Sequence, residues 1–311
     1  MAMPRFTKGR SILLSMWGRR ICRPMYVIAG DGGFLSEPVQ VESLPIYMGE
    51  RFEVLIDTSG GKPFDIVTLP VRQIGMTVPP FDAPVAVLRV QPGTEKTTKH
   101  LPDKLVEVPP IPSLEKLPSR LLKLTMDPQL DMQGMQALMQ RFGTKAMAGV
   151  SIKDHGPMSA GQKGGMTMDQ HAAMGSGDMA MHGTTPAVPK SDSSLELHTT
   201  NRINGHAFEI NAPMFDVKLG QYERWIISSE DDMMLHPFHI HGAQFRILSE
   251  NGSPQAAHRS AWKDTVIVEK SRSEVLVRFA HPAPKERAYM AHCHLLEHED
   301  TGMMLSFTVS R

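Results

Sequence analysis

Two histidine-rich segments near the end of the sequence contain the residues best suited to bind a metal ion. They are residues 236–242, which read HPFHIHG, and residues 292–303, which read HCHLLEHEDTGM. Side chains on a β-strand alternate between its two faces, so His292 and His294 should share one face while Cys293 points to the other. The spacing therefore predicts metal ligands on both faces of one strand.

The upstream segment divides in the same way if it is extended. His239 and His241 then share a face, and His236, three positions earlier, takes the opposite one. The sequence thus predicts two metal sites placed back to back. The first comprises His236, Cys293, His298 and an axial Met303, and the second comprises His239, His241, His292 and His294.

The ligand types of the first site favour copper. Two histidines, one cysteine and a weakly bound methionine are the ligands of blue-copper electron-transfer sites, and copper heads the affinity order of divalent metals. A structural zinc site is the alternative, but zinc normally takes four firm Cys or His ligands, and a thioether is a poor one. Because Cys293 lies between two ligands of the second site, it would be a short covalent path for electrons.

At these motifs the sequence resembles the multicopper oxidases, most closely the bacterial periplasmic copper-efflux (cuprous) oxidases. The resemblance extends over residues 24–309 and includes the segments MDPQLDMQGM, INGHAFEIN and WKDTV. It implies an all-β fold of cupredoxin-like Greek-key β-barrels and a periplasmic location. It also implies an oxidoreductase that oxidises Cu(I) or phenolic reductants at a type 1 copper and reduces O2 to water at a trinuclear copper cluster.

The resemblance implies roles for individual residues as well. It assigns His239 to a type 2 copper and His241, His292 and His294 to a type 3 copper pair. It assigns catalytic roles to Cys293, in electron transfer, and to Glu299, beside His298, in delivering protons to reduced oxygen. It assigns a substrate copper ion to Met126, Asp131, Asp232 and Met234. For the two aspartates the alternative is a solvated surface position. For Asp264 in WKDTV we expect either orientation of a ligating imidazole or the capping of a turn.

The resemblance leaves half of the cluster without ligands. The family's trinuclear cluster takes eight histidines, four of them from an N-terminal barrel, but this sequence of 14 histidines contains no further His-x-His pair. We therefore expect a chain that lacks the first cupredoxin domain and part of the second. Two functions remain open, a multicopper oxidase and a catalytically incomplete copper-binding remnant. An N-terminal fragment carrying the missing motifs would be a partner of the remnant.

Composition excludes several other classes of function. The 33 basic and 33 acidic residues balance, so the chain has no electrostatic footprint for nucleic acid or an anionic membrane. The two cysteines do not make a disulfide framework, and no apolar run is long enough for a membrane-spanning helix.

The resemblance, together with the pattern of short β-branched runs and turn residues, implies four segments. Residues 1–22 are an atypical basic leader, which we interpret as non-native rather than as an export signal because its apolar core is short. Residues 23–90 are a partial second cupredoxin domain, whose strand edges we expect to be unpaired. Residues 91–120 are a Pro-rich linker, and residues 121–311 are a C-terminal cupredoxin domain with a Met/His-rich insertion at 127–194.

Methionines are concentrated in this insertion. The spacing of Met132, Met135 and Met139 predicts an amphipathic helix over residues 130–142, where the methionines either pack on the barrel or bind copper. Residues 149–189 are rich in Gly, Ser, Met and His and contain little other apolar bulk. Since thioethers select Cu(I), we interpret this segment as a mobile collector of cuprous ions.

Overall fold

A computed structural model of the chain describes residues 24–70, 83–95, 100–127, 197–232 and 234–311, the backbone of 12–17, and some helical positions between 129 and 141. The chain divides into two compact units. One is Met1–Gly149 with Glu196–Arg311, and the other, Val150–Leu195, lies outside the described residues. The predicted Cu(I) collector therefore also lies outside them.

The first part of the chain forms two small sheets over one apolar core. Its strands are β1 (Ile12–Trp17), β2 (Met25–Gly30), β3 (Gly33–Val41), β4 (Ser43–Ile46), β5 (Glu53–Ile56), β6 (Phe64–Thr68) and β7 (Val85–Val90). The sheet orders are β4-β1-β6-β7 and β3-β2-β5, with all pairs antiparallel. The buried side chains that fill the core include Met25, Val27, Leu35, Leu44, Phe64 and Ile66.

The structure differs from the sequence-based expectation at β1. This strand lies within the segment predicted to be a non-native leader, and it pairs antiparallel with β4 on one side and β6 on the other. Unpaired backbone N–H and C=O groups at a strand edge are unfavourable unless another strand or water satisfies them. β1 therefore pairs with one edge of β4 and one edge of β6 that we expected to be unpaired, while β4 is still the outer strand of its sheet.

The C-terminal part forms a sandwich of two five-stranded sheets. Its strands are β8 (Ser119–Thr125), β9 (Arg202–Ile203), β10 (Phe215–Lys218), β11 (Tyr222–Ser228), β12 (Leu235–Ile240), β13 (Arg246–Ser249), β14 (Thr265–Glu269), β15 (Arg272–Arg278), β16 (Tyr289–Cys293) and β17 (Met304–Ser310). The orders are β10-β17-β16-β12-β14 and β13-β15-β11-β8-β9. The β10/β17 and β11/β8 pairs are parallel. The predicted all-β class is confirmed.

A cluster of aromatic rings fills the centre of this sandwich. Trp225 is fully buried and contacts Phe215, Phe279 and Phe307 at ring-centroid distances of 5.5, 5.8 and 5.2 Å. Apolar burial of this kind is the main stabilising term of a sandwich fold. Cys293 and Met303 belong to the same buried cluster, so the core extends to the candidate metal ligands.

In the residues that the structure describes, the Pro-rich linker and the Met-rich insertion have the conformations expected from their residue types. Residues 91–95 and 100–118 of the Pro-rich linker contain neither helix nor strand. The described positions of the insertion, Gln129, Gln133, Gln136 and Met139–Arg141, are helical, and Met139 is 44% exposed. Met139 is thus not buried in the barrel core, while Met132 and Met135 lie outside the described residues. Among the described helices, none has the length and apolarity to cross a membrane.

Candidate metal centre

Two neighbouring antiparallel strands, β12 and β16, carry most of the candidate ligands. Phe238 lies opposite Cys293 in the register, and His239 lies opposite His292. Residues directly opposite each other on paired strands project to the same face of the sheet. Cys293 therefore shares the core face with Phe238, whereas His292 shares the other face with His239.

Three buried side chains converge on the core face. The Cys293 Sγ atom lies 3.5 Å from His236 Nδ1 and 3.4 Å from His298 Nδ1, and the two ring nitrogens are 3.2 Å apart. Metal–nitrogen and metal–sulfur bonds of about 2.0–2.3 Å place the ligand atoms of a trigonal site roughly 3.5–3.7 Å apart. The triad therefore fits a small metal ion with little rearrangement.

A short helix brings the remaining candidate ligands to Cys293. The helix Leu296–Asp300 follows β16 directly and contains His298. The Met303 N–H then donates to the His298 carbonyl at 2.9 Å, and the Cys293 N–H donates to the Met303 carbonyl at 3.1 Å. Met303 is fully buried, and its backbone is bonded to both Cys293 and His298.

A buried carboxylate fixes the orientation of one imidazole. His236 Nε2 lies 3.0 Å from Asp232 Oδ2, and the other Asp232 oxygen accepts the Met234 N–H at 2.7 Å. With Nε2 donating to the carboxylate, Nδ1 keeps its lone pair and faces Cys293. Asp232 is only 5% exposed, so it is not a solvated surface residue.

Of the other residues assigned by resemblance to a substrate copper, Met234 contacts this aspartate through its backbone N–H. Met234 is half-buried two positions beyond Asp232, and Met126 packs partly buried against the C-terminal core. Asp131 lies outside the described residues. The hydrogen bond from His236 to Asp232 is a contact that we did not predict. The signal was present in the sequence, because the carboxylate stands four positions before a histidine in DDMMLH.

Four imidazoles cluster on the opposite face. His241 Nε2 and His292 Nε2 are 3.1 Å apart, and the ring centroids of His239 and His241 are 4.9 Å apart. One ring nitrogen from each of these three residues lies within 4.8 Å of the others. The ring of His294 joins the cluster with its centroid 5.7 Å from that of His239 and 5.4 Å from that of His292.

Hydrogen bonds fix one nitrogen on two of these rings. His239 Nδ1 lies 2.8 Å from the Asp264 carbonyl oxygen, and His292 Nδ1 lies 3.2 Å from Glu299 Oε2. The hydrogen-bond acceptor for His292 Nδ1 is the Cys293 carbonyl oxygen at 3.2 Å, and Glu299 Oε2 lies beside it. In both rings Nδ1 therefore donates a proton, and Nε2 keeps the lone pair that a metal requires. Asp264 thus contacts a candidate ligand through its main chain, and its carboxylate Oδ1 lies 3.6 Å from the same nitrogen.

Burial sets the protonation states of candidate ligands in both sites. Burial and neighbouring histidines lower the pKa of His241 to about 4, burial lowers the pKa of His292 to about 4, and burial with His236 nearby lowers the pKa of His298 to about 3. These imidazoles are neutral at pH 7 and their lone pairs are free. Burial raises the pKa of the Cys293 thiol, so metal binding there must displace a proton.

The sequence is similar to a multicopper oxidase family profile and to proteins of two different descriptions. Residues 180–311 match the sequence profile of the family described as multicopper oxidase. The chain is 39% identical over 126 residues to "Multicopper oxidase mco" of Staphylococcus haemolyticus, covering 39% of this chain and 27% of the relative. It is 26% identical over 281 residues to "Cell division protein FtsP" of Escherichia coli, covering 90% of this chain and 45% of the relative. The chain thus spans less than half the length of these relatives.

Solved structures resemble nearly the whole chain. A laccase-like multicopper oxidase from the lignin-degrading bacterium Ochrobactrum sp. matches with a TM-score of 0.64 and 29% identity, covering 97% of this chain and 53% of that one. A multicopper oxidase from Campylobacter jejuni, described as a metallo-oxidase, matches with a TM-score of 0.66 and 23% identity, covering 97% and 51%. The predicted cupredoxin-like fold is confirmed.

Proposed function

We propose that this chain, whose residues 180–311 match the multicopper oxidase family profile, binds copper and accepts electrons from Cu(I) or a phenolic reductant. The observation that carries the proposal is the buried triad of His236, Cys293 and His298, whose donor atoms lie 3.2–3.5 Å apart. Copper bound there would supply one-electron redox chemistry. By resemblance, we further propose a periplasmic setting.

The chain's own residues give this electron acceptor a defined environment. Burial of Cys293 and His236 excludes water from the triad. Asp232 holds the His236 ring through Nε2 and is itself one of the residues assigned to substrate copper. We propose that a Cu(I) ion held by Met126, Asp131, Asp232 and Met234 is the substrate, because thioethers accept Cu(I) and carboxylates favour the Cu(II) product.

The path onward runs through the main chain of β16. Cys293 is covalently joined to His292 and His294, whose rings belong to the cluster on the opposite face. Glu299 lies 3.2 Å from His292 Nδ1 and is partly exposed, which suits a group that exchanges protons with solvent. We propose that these residues are one half of an oxygen-reducing copper cluster.

For the chain by itself we propose electron uptake without sustained reduction of O2. The second site contains four imidazoles, and the sequence has no further His-x-His pair to complete a set of eight. Reduction of O2 would then need ligands from another polypeptide segment. The second candidate, a multicopper oxidase active by itself, is favoured by the contact of Glu299 with His292.

The colour of the copper-loaded protein tests the first site. A copper–thiolate bond to Cys293 should give the intense blue absorption of a type 1 centre. Cys293→Ser should abolish the colour, whereas Cys22→Ser, a matched change of the chain's other cysteine, should preserve it. A blue colour that survives in Cys293→Ser would show that the ligand assignment is wrong.

Oxygen consumption with Cu(I) as reductant separates the two candidates. We expect the purified, copper-loaded chain to be bleached by reductant in stoichiometric amount, with no continuing O2 uptake. Continuing uptake that depends on Cys293 would refute the electron-accepting role and support the complete oxidase.

A further inference from the structure

A cluster of charged side chains is buried where the β2–β3 turn meets the loop before β14. The Gly32 N–H donates to the Trp262 carbonyl at 2.8 Å. A Cβ atom at Gly32 would lie 2.7 Å from that of Trp262, so the turn is in close contact with this loop. The turn therefore brings Asp31 next to Lys263 and Asp264. These two residues come directly before β14, whose first residue, Thr265, lies opposite His239.

The Asp31 carboxylate joins the two segments. Its Oδ2 lies 3.0 Å from Lys263 Nζ and accepts the Asp264 N–H at 3.3 Å. Its Oδ1 accepts the Arg51 N–H at 2.7 Å. The Asp31 side chain has no solvent exposure, so these contacts are not exchanged for water.

Arg51 continues the connection with a fork of two hydrogen bonds. Its Nη1 donates to Asp264 Oδ1 at 2.9 Å, and its Nη2 donates to Asp264 Oδ2 at 2.6 Å. The same guanidinium donates to the carbonyls of Gly49 at 2.8 Å and Asp31 at 3.0 Å. A planar guanidinium bound in this way fixes the direction of the carboxylate as well as its distance.

Two residues bonded to Arg51, Asp264 and Gly49, contact the imidazole cluster of the second site. Asp264 contacts His239 Nδ1 through its carbonyl at 2.8 Å, with its carboxylate Oδ1 at 3.6 Å. Gly49 has a φ of +83°, and a Cβ there would lie 2.9 Å from His294 Cδ2. Arg51 thus bonds to the residue that holds one imidazole and to the residue that packs against another.

We propose that Arg51 and Asp31 are positioning residues for the second copper site. They hold Asp264 in the orientation that keeps the proton of His239 on Nδ1, which leaves Nε2 for the metal. The inference rests on the proposed copper-binding function, and it extends that function to residues more than 180 positions away from the ligand strands. The alternative is that the ion pairs only join the two parts of the fold.

Copper titration of the full chain tests this proposal. Arg51→Gln should weaken copper binding at the second site by about 10–100-fold, as loss of a partner that orients a ligand does. The blue absorption of the Cys293 site should be unchanged, because that site lies on the other face of the sheet. Arg51→Lys, which keeps the charge but not the fork, should recover part of the affinity.

Arg89 offers a matched control. It pairs with Asp65 at 3.2 Å in the same part of the fold, but this pair is exposed and includes none of the candidate ligands. Arg89→Gln should change neither copper affinity nor colour. Equal weakening in Arg51→Gln and Arg89→Gln would overturn the proposal, and so would an Arg51→Gln protein that is blue and binds the second copper as tightly as the unsubstituted chain.

The tautomer of His239 in the metal-free protein gives a second readout. Nitrogen NMR should show the proton on Nδ1 in the unsubstituted chain and a mixture of tautomers in Arg51→Gln. A proton on Nε2 in the unsubstituted chain would overturn the proposal even if Arg51→Gln fails to fold. If the chain binds no second copper at all, the proposed function of that site fails, and the tautomer still decides whether Arg51 positions His239.

Discussion

Replacing Lys263 with methionine should destabilise the fold more than any change to a surface ion pair. The Lys263 side chain has no solvent exposure, and its Nζ lies 3.0 Å from both Asp31 Oδ2 and Glu50 Oε1. Both carboxylates are also fully buried. Methionine keeps a flexible apolar stem next to the Phe52 ring, whose centroid is 4.4 Å from Nζ, and removes the ammonium group with its charge and N–H donors.

The magnitude follows from the partners that remain. Removal of one member of a buried ion pair costs about 3–5 kcal/mol, because the other charge is left uncompensated. Here Glu50 still has Arg259 at 2.6 Å, and Asp31 still accepts two backbone N–H groups. We therefore expect a loss near the lower limit, about 3 kcal/mol, in the free energy of unfolding. Arg89→Met, which breaks an exposed pair, should cost about 0–1 kcal/mol.

Urea denaturation at two pH values measures this loss and checks its cause. Burial raises the pKa of Asp31 above its ordinary value of 3.8, and Lys263 opposes that rise. Without Lys263 the folded state should bind a proton more readily than the unfolded state, so its stability should recover as the pH falls towards 4. A loss below about 1 kcal/mol, or one that is the same at pH 7 and pH 4.5, would refute the electrostatic reasoning.

Three further changes test other parts of the molecule. Burial would raise the pKa of Glu50, but its cationic neighbours outweigh burial and hold it below its ordinary 4.5. Glu50→Gln should therefore destabilise the fold at pH 7 by about 3 kcal/mol. That loss, measured by urea denaturation, should shrink as the pH falls below 4.5. A loss that grows would contradict the lowered pKa of Glu50. Gly49→Ala should cost about 1–3 kcal/mol in backbone strain and also weaken the second copper site through His294. Gly61→Ala, with a φ of +63° and open space around it, should show the strain alone, and equal copper affinity in both variants would refute the packing argument. Deletion of residues 149–189 should weaken Cu(I) binding in a chelator competition while the blue colour persists; unchanged Cu(I) affinity would show that these methionines do not collect copper.

The alternation of side chains in β12 and β16 is the part of the site that could be predicted from the sequence. The pairing of Phe238 with Cys293 and of His239 with His292 gives the two faces that the His-x-His spacing indicates. Parity is a local property, because each residue's face depends only on its position in its own strand. Most strand segments of the fold were predictable for the same reason, from short β-branched runs separated by turn residues.

Contacts between distant segments could not be predicted in this way. Arg51 and Asp264 are 213 positions apart, and their hydrogen bonds depend on how the β2–β3 turn meets the loop before β14. Asp264 lies in the WKDTV segment, but nothing in that segment or in the sequence around Arg51 indicates that these two residues pair. The pairing of β1 with β4 and β6 is similar, since the basic composition of residues 1–22 gives no register for a strand.

The two candidate copper sites should therefore respond differently to changes elsewhere in the chain. The first is built from the core of a single sandwich, where Cys293 and Met303 pack in the same cluster as Trp225. The second depends on contacts that the other part of the fold makes through Gly49 and Arg51. A substitution that loosens the junction between the two parts should reduce copper binding at the imidazole cluster before it affects the blue centre. If both sites lost copper in parallel across such substitutions, the second site could not owe its geometry to that junction.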